Sequence, residues 1–76
     1  MNVEHMVGMV NDIANFVMSE PDHAVAVAGI AGHLKRYWEP RMRKQIIAHL
    51  DDGGHGLSDL ARDGVRELAR MQKAAA

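Results

Sequence analysis

Two prolines and a glycine-rich run cut this chain into four pieces, and each piece carries apolar residues at helical spacing. Pro21 follows Ser19-Glu20, Pro40 follows Trp38-Glu39, and Asp51-Asp52-Gly53-Gly54-His55-Gly56 is rich in residues that tolerate positive φ. Proline lacks an N–H and pushes the residue before it toward extended conformations, so helices break at both sites. Between the breaks, apolar residues recur at i, i+3 and i+4, the period of an amphipathic helix rather than of a strand. The fold class expected is all-α, one domain built as a small bundle of about four short helices.

Segment one covers residues 1–20. Asn2 suits an N-cap, Glu4 lies in the first turn where it favours the helix dipole, and Val3, Met6, Val7, Val10, Ile13, Phe16 and Val17 form the stripe. Segment two covers 21–38, with Val27, Ile30, Ala31, Leu34 and Trp38 as its stripe. Ala24, Ala28, Gly29, Ala31 and Gly32 leave part of its surface small, which predicts close packing of a neighbouring helix there. Segment three covers 40–51, started by Pro40 and continued by Met42, Ile46, Ile47 and Leu50. Segment four covers 58–73, capped by Ser58, with Leu57, Leu60, Ala61, Gly64, Leu68 and Met71 facing inward and a frayed tail expected over 74–76.

A chain of 76 residues holds one domain at most, and a domain near this size buries only roughly 60% of its unfolded surface. With no cysteine there is no disulfide to reinforce so small a core. A binding partner is one remedy, since anything that binds only the folded state stabilises it. Hydrophobic residues at 47% and charged residues at 25% fit a globular domain rather than a disordered one. The first residues lack the basic segment and apolar run of a signal peptide, and no stretch approaches the ~18 apolar residues of a membrane span. A soluble, cytoplasmic protein is expected.

Catalysis finds no purchase in the residue types present. His5, His23, His33, His49 and His55 include no pair at i, i+4, and neither a Cys nor a His-Glu-x-x-His accompanies them. Asp51 and Asp52 sit side by side in the glycine-rich loop, where both carboxylates would be solvated. Ser19 and Ser58 fall where turns and caps are expected. The glycine run lacks the Lys and the spacing of a phosphate-binding loop. No catalytic, metal or cofactor residues are assigned, and the expected task is to bind another macromolecule.

Charge points to where. Residues 1–30 carry Glu4, Asp12, Glu20 and Asp22 with no Lys or Arg, whereas residues 33–49 carry Lys35, Arg36, Arg41, Arg43 and Lys44 against Glu39 alone. This basic stretch also holds Tyr37 and Trp38, and Trp, Tyr and Arg dominate interface hot spots. Trp38 lies on its helix's apolar stripe and so suits a core anchor as well as a contact. Arg36, Arg41 and Arg43 suit an acidic partner surface or acids of the first helix. The methionines suit either a small core or a surface that moulds to a partner; Met9 and Met18, off the main stripe, are the candidates for outside contacts. A nucleic-acid-binding module would use the same cations, but a net charge of -1 and an acidic first helix weigh against it. A homo-oligomeric bundle is the other alternative.

The segment His33-Leu34-Lys35-Arg36-Tyr37-Trp38-Glu39-Pro40-Arg41-Met42-Arg43 resembles the signature of the delta subunit of NAD-dependent, molybdenum-containing formate dehydrogenase. The flanks resemble it too, through Met9-Val10-Asn11-Asp12-Ile13-Ala14-Asn15-Phe16, Pro21-Asp22, Gly29-Ile30-Ala31, Gly53-Gly54 and Gly56-Leu57-Ser58. Tyr37 stands where that family is expected to have Phe. The resemblance implies an accessory subunit with no redox centre of its own, in a soluble complex that oxidises formate and reduces NAD. An alpha subunit would hold bis-molybdopterin guanine dinucleotide and iron–sulfur clusters; beta and gamma subunits would hold FMN and further clusters. The delta subunit would bind alpha directly and support its assembly, cofactor insertion or stability. On this reading the partner-binding residues are His33, Arg36, Tyr37, Trp38, Pro40, Arg41, Met42 and Arg43. Trp38 and Pro40 would set the angle between helices two and three. The arginines would meet acidic groups of alpha or phosphates of the entering cofactor.

Overall fold

The computed structural model describes residues 2–75, which contain four helices and no strand: α1 (Val3–Val17), α2 (His23–Tyr37), α3 (Pro40–Asp51) and α4 (Asp59–Ala75). Each begins at a residue suited to start a helix. Asn2 Oδ1 accepts the backbone N–H of Glu4 at 2.7 Å, Asp22 Oδ1 accepts that of Ala24 at 3.0 Å, and Ser58 Oγ accepts that of Ala61 at 3.2 Å. The N-terminal N–H groups of a helix have no partner within it, so these side chains supply one. α3 has no side-chain cap, and Pro40 at its first position removes one of the N–H groups that would otherwise lack a partner. α4 continues through Ala74 and Ala75, and alanine is the strongest helix former. Ala76 lies outside the described residues.

The helices bury their stripes against one another. α4 packs against all three of the others, and its pairing with α2 is the most extensive. The core comprises Met6, Val7, Val10 and Ala14 of α1, Ile30, Ala31 and Leu34 of α2, Trp38, Ile46 of α3, and Leu57, Ala61, Val65 and Leu68. Val65 and Ala14 belong to this core although neither is among the stripe residues that spacing picks out. Phe16, expected inside, is 85% exposed. At about 100° per residue the stripe turns through Ala14 and Val17 and leaves Phe16 on the outer side. Met9 leans on the core rather than reaching outward, whereas Met18 is exposed. The radius of gyration is 11.2 Å, against about 11 Å for a close-packed chain of this length.

The glycine-rich loop between α3 and α4 is tied down from three sides. Gly54 adopts φ +64, a left-handed conformation suited to the turn that ends α3, and its N–H reaches His49 O at 2.8 Å. Arg62 donates to the carbonyls of Gly53 and Gly54, and His49 Nε2 donates to His55 O at 2.8 Å. Asn11 bridges from α1: its Nδ2 donates to Gly56 O and its Oδ1 accepts from Ser58 N, both at 2.9 Å. Replacing Asn11 by alanine removes two hydrogen bonds to solvent-exposed backbone groups, at about 0.5–1.5 kcal/mol each. A fall in melting temperature of about 4–8 °C per kcal/mol is expected for a domain of this size. An unchanged melt by circular dichroism would remove Asn11 from the forces that hold the loop.

Candidate partner-binding face

The basic segment expected to act as one surface divides between core and solvent. Trp38 is 6% exposed and packs in the core, where it anchors the end of α2. Met42 is half-buried against the same core. Arg43 turns back on its own chain: Nη1 donates to Lys35 O at 2.9 Å and to Trp38 O at 2.6 Å. Carbonyls at a helix end lack intrahelical partners, and a guanidinium with several donors satisfies two of them at once. Arg43 therefore joins α2 to α3. Pro40 and Arg41 are exposed at the start of α3, and Arg36 is exposed on α2. Among the described residues neither Arg36 nor Arg41 forms an ion pair, so the acids of α1 are not their counterions.

What remains is the outer face of α2. The small residues Ala28, Gly29 and Gly32 are exposed there, so the close packing expected on them is not made within the chain. A Cβ built on Gly32 would meet nothing within 4 Å, and one on Gly29 would meet only Val17 at 3.9 Å. These glycines floor an open trough. At one end its walls are Phe16, Val17, Glu20 and Val25; at the other they are His33, Arg36 and Tyr37. Gly29 lies in both, so the two hollows adjoin one another. Tyr37 is 66% exposed, and its ring tilts against that of His33 with centroids 4.8 Å apart. Met18 is also exposed, just past the end of α1.

His33, Arg36 and Tyr37 thus come together as expected from the sequence. Phe16, Val25 and the glycine floor complete the face, and residue types alone do not reveal that Phe16 and Val25 are exposed. The signal lies in the α2 glycines: each costs about 1 kcal/mol in a helix relative to alanine, yet packing inside the chain gives neither a reason.

The remaining titratable groups do not assemble a reactive centre. His23 Nε2 meets Asp63 at 3.0 Å, Asp63 also pairs with Arg66 at 2.9 Å, and His5 and His55 are exposed. Among the described residues no three of His, Cys, Asp or Glu gather as a metal ion requires. On α4, the hydrogen bonds from Arg70 hold the Glu67 carboxyl below its ordinary value and raise the guanidinium. That pair is open to solvent and adds little stability. No helix among the described residues is long and apolar enough to cross a membrane.

Comparison with known proteins gives one finding. A family model described as NADH-dependant formate dehydrogenase delta subunit FdsD matches residues 5–65. No curated protein and no solved structure matches the chain.

Proposed function

The chain belongs to the FdsD family of NADH-dependent formate dehydrogenase delta subunits, and from that premise we propose that it is a non-catalytic accessory subunit that docks through the outer face of α2. The observation that carries the proposal is the coincidence of two things: the matched stretch, residues 5–65, spans the whole trough, and the trough exposes aromatic and basic side chains. A subunit's apolar surface left open to water marks an interaction site more readily than a solvated surface. The partner proposed is the alpha subunit, which would carry the molybdopterin cofactor and iron–sulfur clusters, within a cytoplasmic complex whose beta and gamma subunits would carry FMN and further clusters. The chain's contribution would be to the assembly, cofactor loading or stability of alpha. Arg36 and Arg41 are the cations left for an acidic surface or a cofactor phosphate, since Arg43 serves the backbone.

A tagged form of the full chain tests this directly in cells that make the other subunits. Recovery of a large molybdenum-bearing subunit with formate-dependent NAD reduction is the expected result. The variant Tyr37→Ala, with an unchanged melting temperature, is expected to recover about tenfold less of that subunit, the loss typical of an interface hot spot. Recovery of the chain alone would overturn the reading, and recovery with nucleic acid, lost steeply as salt rises, would replace it by the nucleic-acid one.

A further inference from the structure

Unpaired positive charge gathers at the bend between α2 and α3. Lys35 and Arg36 end α2, Arg41 and Lys44 open α3, and all four residues are exposed. Among the described residues none of the four forms an ion pair, whereas Arg66 and Arg70 of α4 each pair with an acid. Glu39, the one acid in the stretch, makes no side-chain bond to the first N–H groups of α3. The first turn of α3 therefore holds Arg41 and no acid. A cation there opposes the helix dipole, and like charges crowded on one bend repel each other. No contact within the chain offsets that cost, as expected where a surface is shaped for something outside it.

The bend is also held in one shape. α2 and α3 barely touch as helices, so their own packing does not set the angle between them. Arg43 joins them instead, through the carbonyls of Lys35 and Trp38 at 2.9 and 2.6 Å. Its guanidinium fixes the last turn of α2 against the first turn of α3, and with them the backbone that carries the four exposed cations. Because Arg43 spends these hydrogen bonds on carbonyls and meets no carboxylate, it adds to the positive charge of the bend rather than cancelling it. Charges fixed in advance lose less freedom when a partner arrives.

On the accessory-subunit reading above, we infer that this bend docks an acidic stretch of the large subunit, whose Asp and Glu side chains pair with Lys35, Arg36, Arg41 and Lys44. A phosphate of the entering cofactor fits less well, because one phosphate is held by donors that converge on it. Here the donors stand apart on two helices. At about 100° per residue, Arg41 and Lys44 lie about 140° and 160° round α3 from buried Ile46, and Arg36 about 160° round α2 from buried Leu34. Outward cations spread in this way suit several carboxylates along a polypeptide. A net charge of -1 and membership of a family of enzyme subunits favour protein over nucleic acid.

The test uses the full tagged chain made together with the other subunits. Carbodiimide joins an amine directly to a carboxylate beside it, so treatment of the recovered complex should link Lys35 or Lys44 to Asp or Glu of the large subunit. The triple change Arg36→Gln, Arg41→Gln and Lys44→Gln should leave the melting temperature unchanged or raised, and should lower recovery of that subunit about tenfold, as expected for the loss of three exposed ion pairs. The control Arg66→Gln, Arg70→Gln and Lys73→Gln removes as much charge from α4 and should leave recovery unchanged. Lysine at the crosslinked acid should restore recovery to a Lys44→Glu chain. If the wild-type chain recovers the complex, no crosslink forms and the first triple change has no effect, the acidic docking is wrong while the accessory reading stands. Equal losses from both triple changes would overturn it too, since net charge alone would then be acting. Binding of inorganic diphosphate to the free chain, abolished by the first triple change and without crosslinks in the complex, would assign the cations to a phosphate. If the wild-type chain recovers no other subunit, both readings fall.

Discussion

Trp38→Ala is expected to remove a large fraction of the chain's stability. Truncating a buried tryptophan typically costs about 3–5 kcal/mol, because the lost transfer energy adds to that of the cavity left behind. A domain of this length holds roughly 4–11 kcal/mol in total. Trp38 is 6% exposed and touches the cluster formed by all four helical segments, so no neighbour can move in to fill its volume without disturbing several others. The loss would also loosen the joint between α2 and α3. Trp38 N–H closes the last turn of α2 onto Leu34 O at 3.0 Å, and its carbonyl receives Arg43 Nη1. The melting temperature followed by circular dichroism should therefore fall by about 12–40 °C, and Trp38→Phe should lose much less. A variant Trp38→Ala that melts like the wild type but no longer binds the complex would mean that the indole is a docking residue, against its burial.

That expectation reverses part of what the residue types suggest, and the reversal has a physical cause. Several helix starts are legible because their signals are local: Asn2 and Ser58 act on N–H groups within a few residues of themselves, and Pro40 fixes its own φ. The stripes are legible for the same reason, since a period is a property of one segment. Trp38 is ambiguous because a large aromatic beside arginines fits a core and an interface equally well, and only the placement of the other helices decides. Arg43 misleads because its acceptors are backbone carbonyls, which every residue has and no residue type reveals. Asn11 and Arg62 escape notice as loop clamps because their partners lie many residues away or in a turn whose shape the sequence does not display.

The glycines illustrate the same limit on α2, where two surfaces compete for a neighbour. One, through Ile30, Ala31 and Leu34, turns inward; the other, through Ala28, Gly29 and Gly32, stays open. Both could accept a helix, and the sequence alone predicts a neighbour on each. The close approach that the fold does make is provided from the opposite side, by Gly64 of α4 facing Ile30. His33, Arg36 and Tyr37 are legible as a group because they share one helix and one face. Phe16 and Val25 join them only through the way α1 lies against α2, which no single segment encodes.

Gly64 is where that tertiary fit is least forgiving, and Gly64→Val is expected to destabilise the chain nearly as much as loss of Trp38. A Cβ on Gly64 would lie 2.7 Å from Ile30 Cβ and closer still to its Cγ2, distances that real atoms do not adopt. Ile30 is fully buried and β-branched, so its side chain has neither space nor rotamers with which to yield. The helices must move apart, and α2 against α4 is the most extensive pairing in the bundle. Overpacking of this kind costs about 1–3 kcal/mol and sometimes more. Alanine at the same position returns up to about 1 kcal/mol through helix propensity, so Gly64→Ala should be milder than Gly64→Val. The decisive variant is the pair Gly64→Ala with Ile30→Gly, which removes the Ile30 Cβ together with the atoms beyond it. If steric conflict at this contact is the cause, the double change should be more stable than the sum of the two single losses predicts, because each mutation relieves what the other strains. Strictly additive losses would mean that Gly64 is required for some reason other than the room it leaves for Ile30. Gly32→Ala on the open face gives the contrast: the same loss of a helical glycine, with nothing to collide with, should raise the melting temperature.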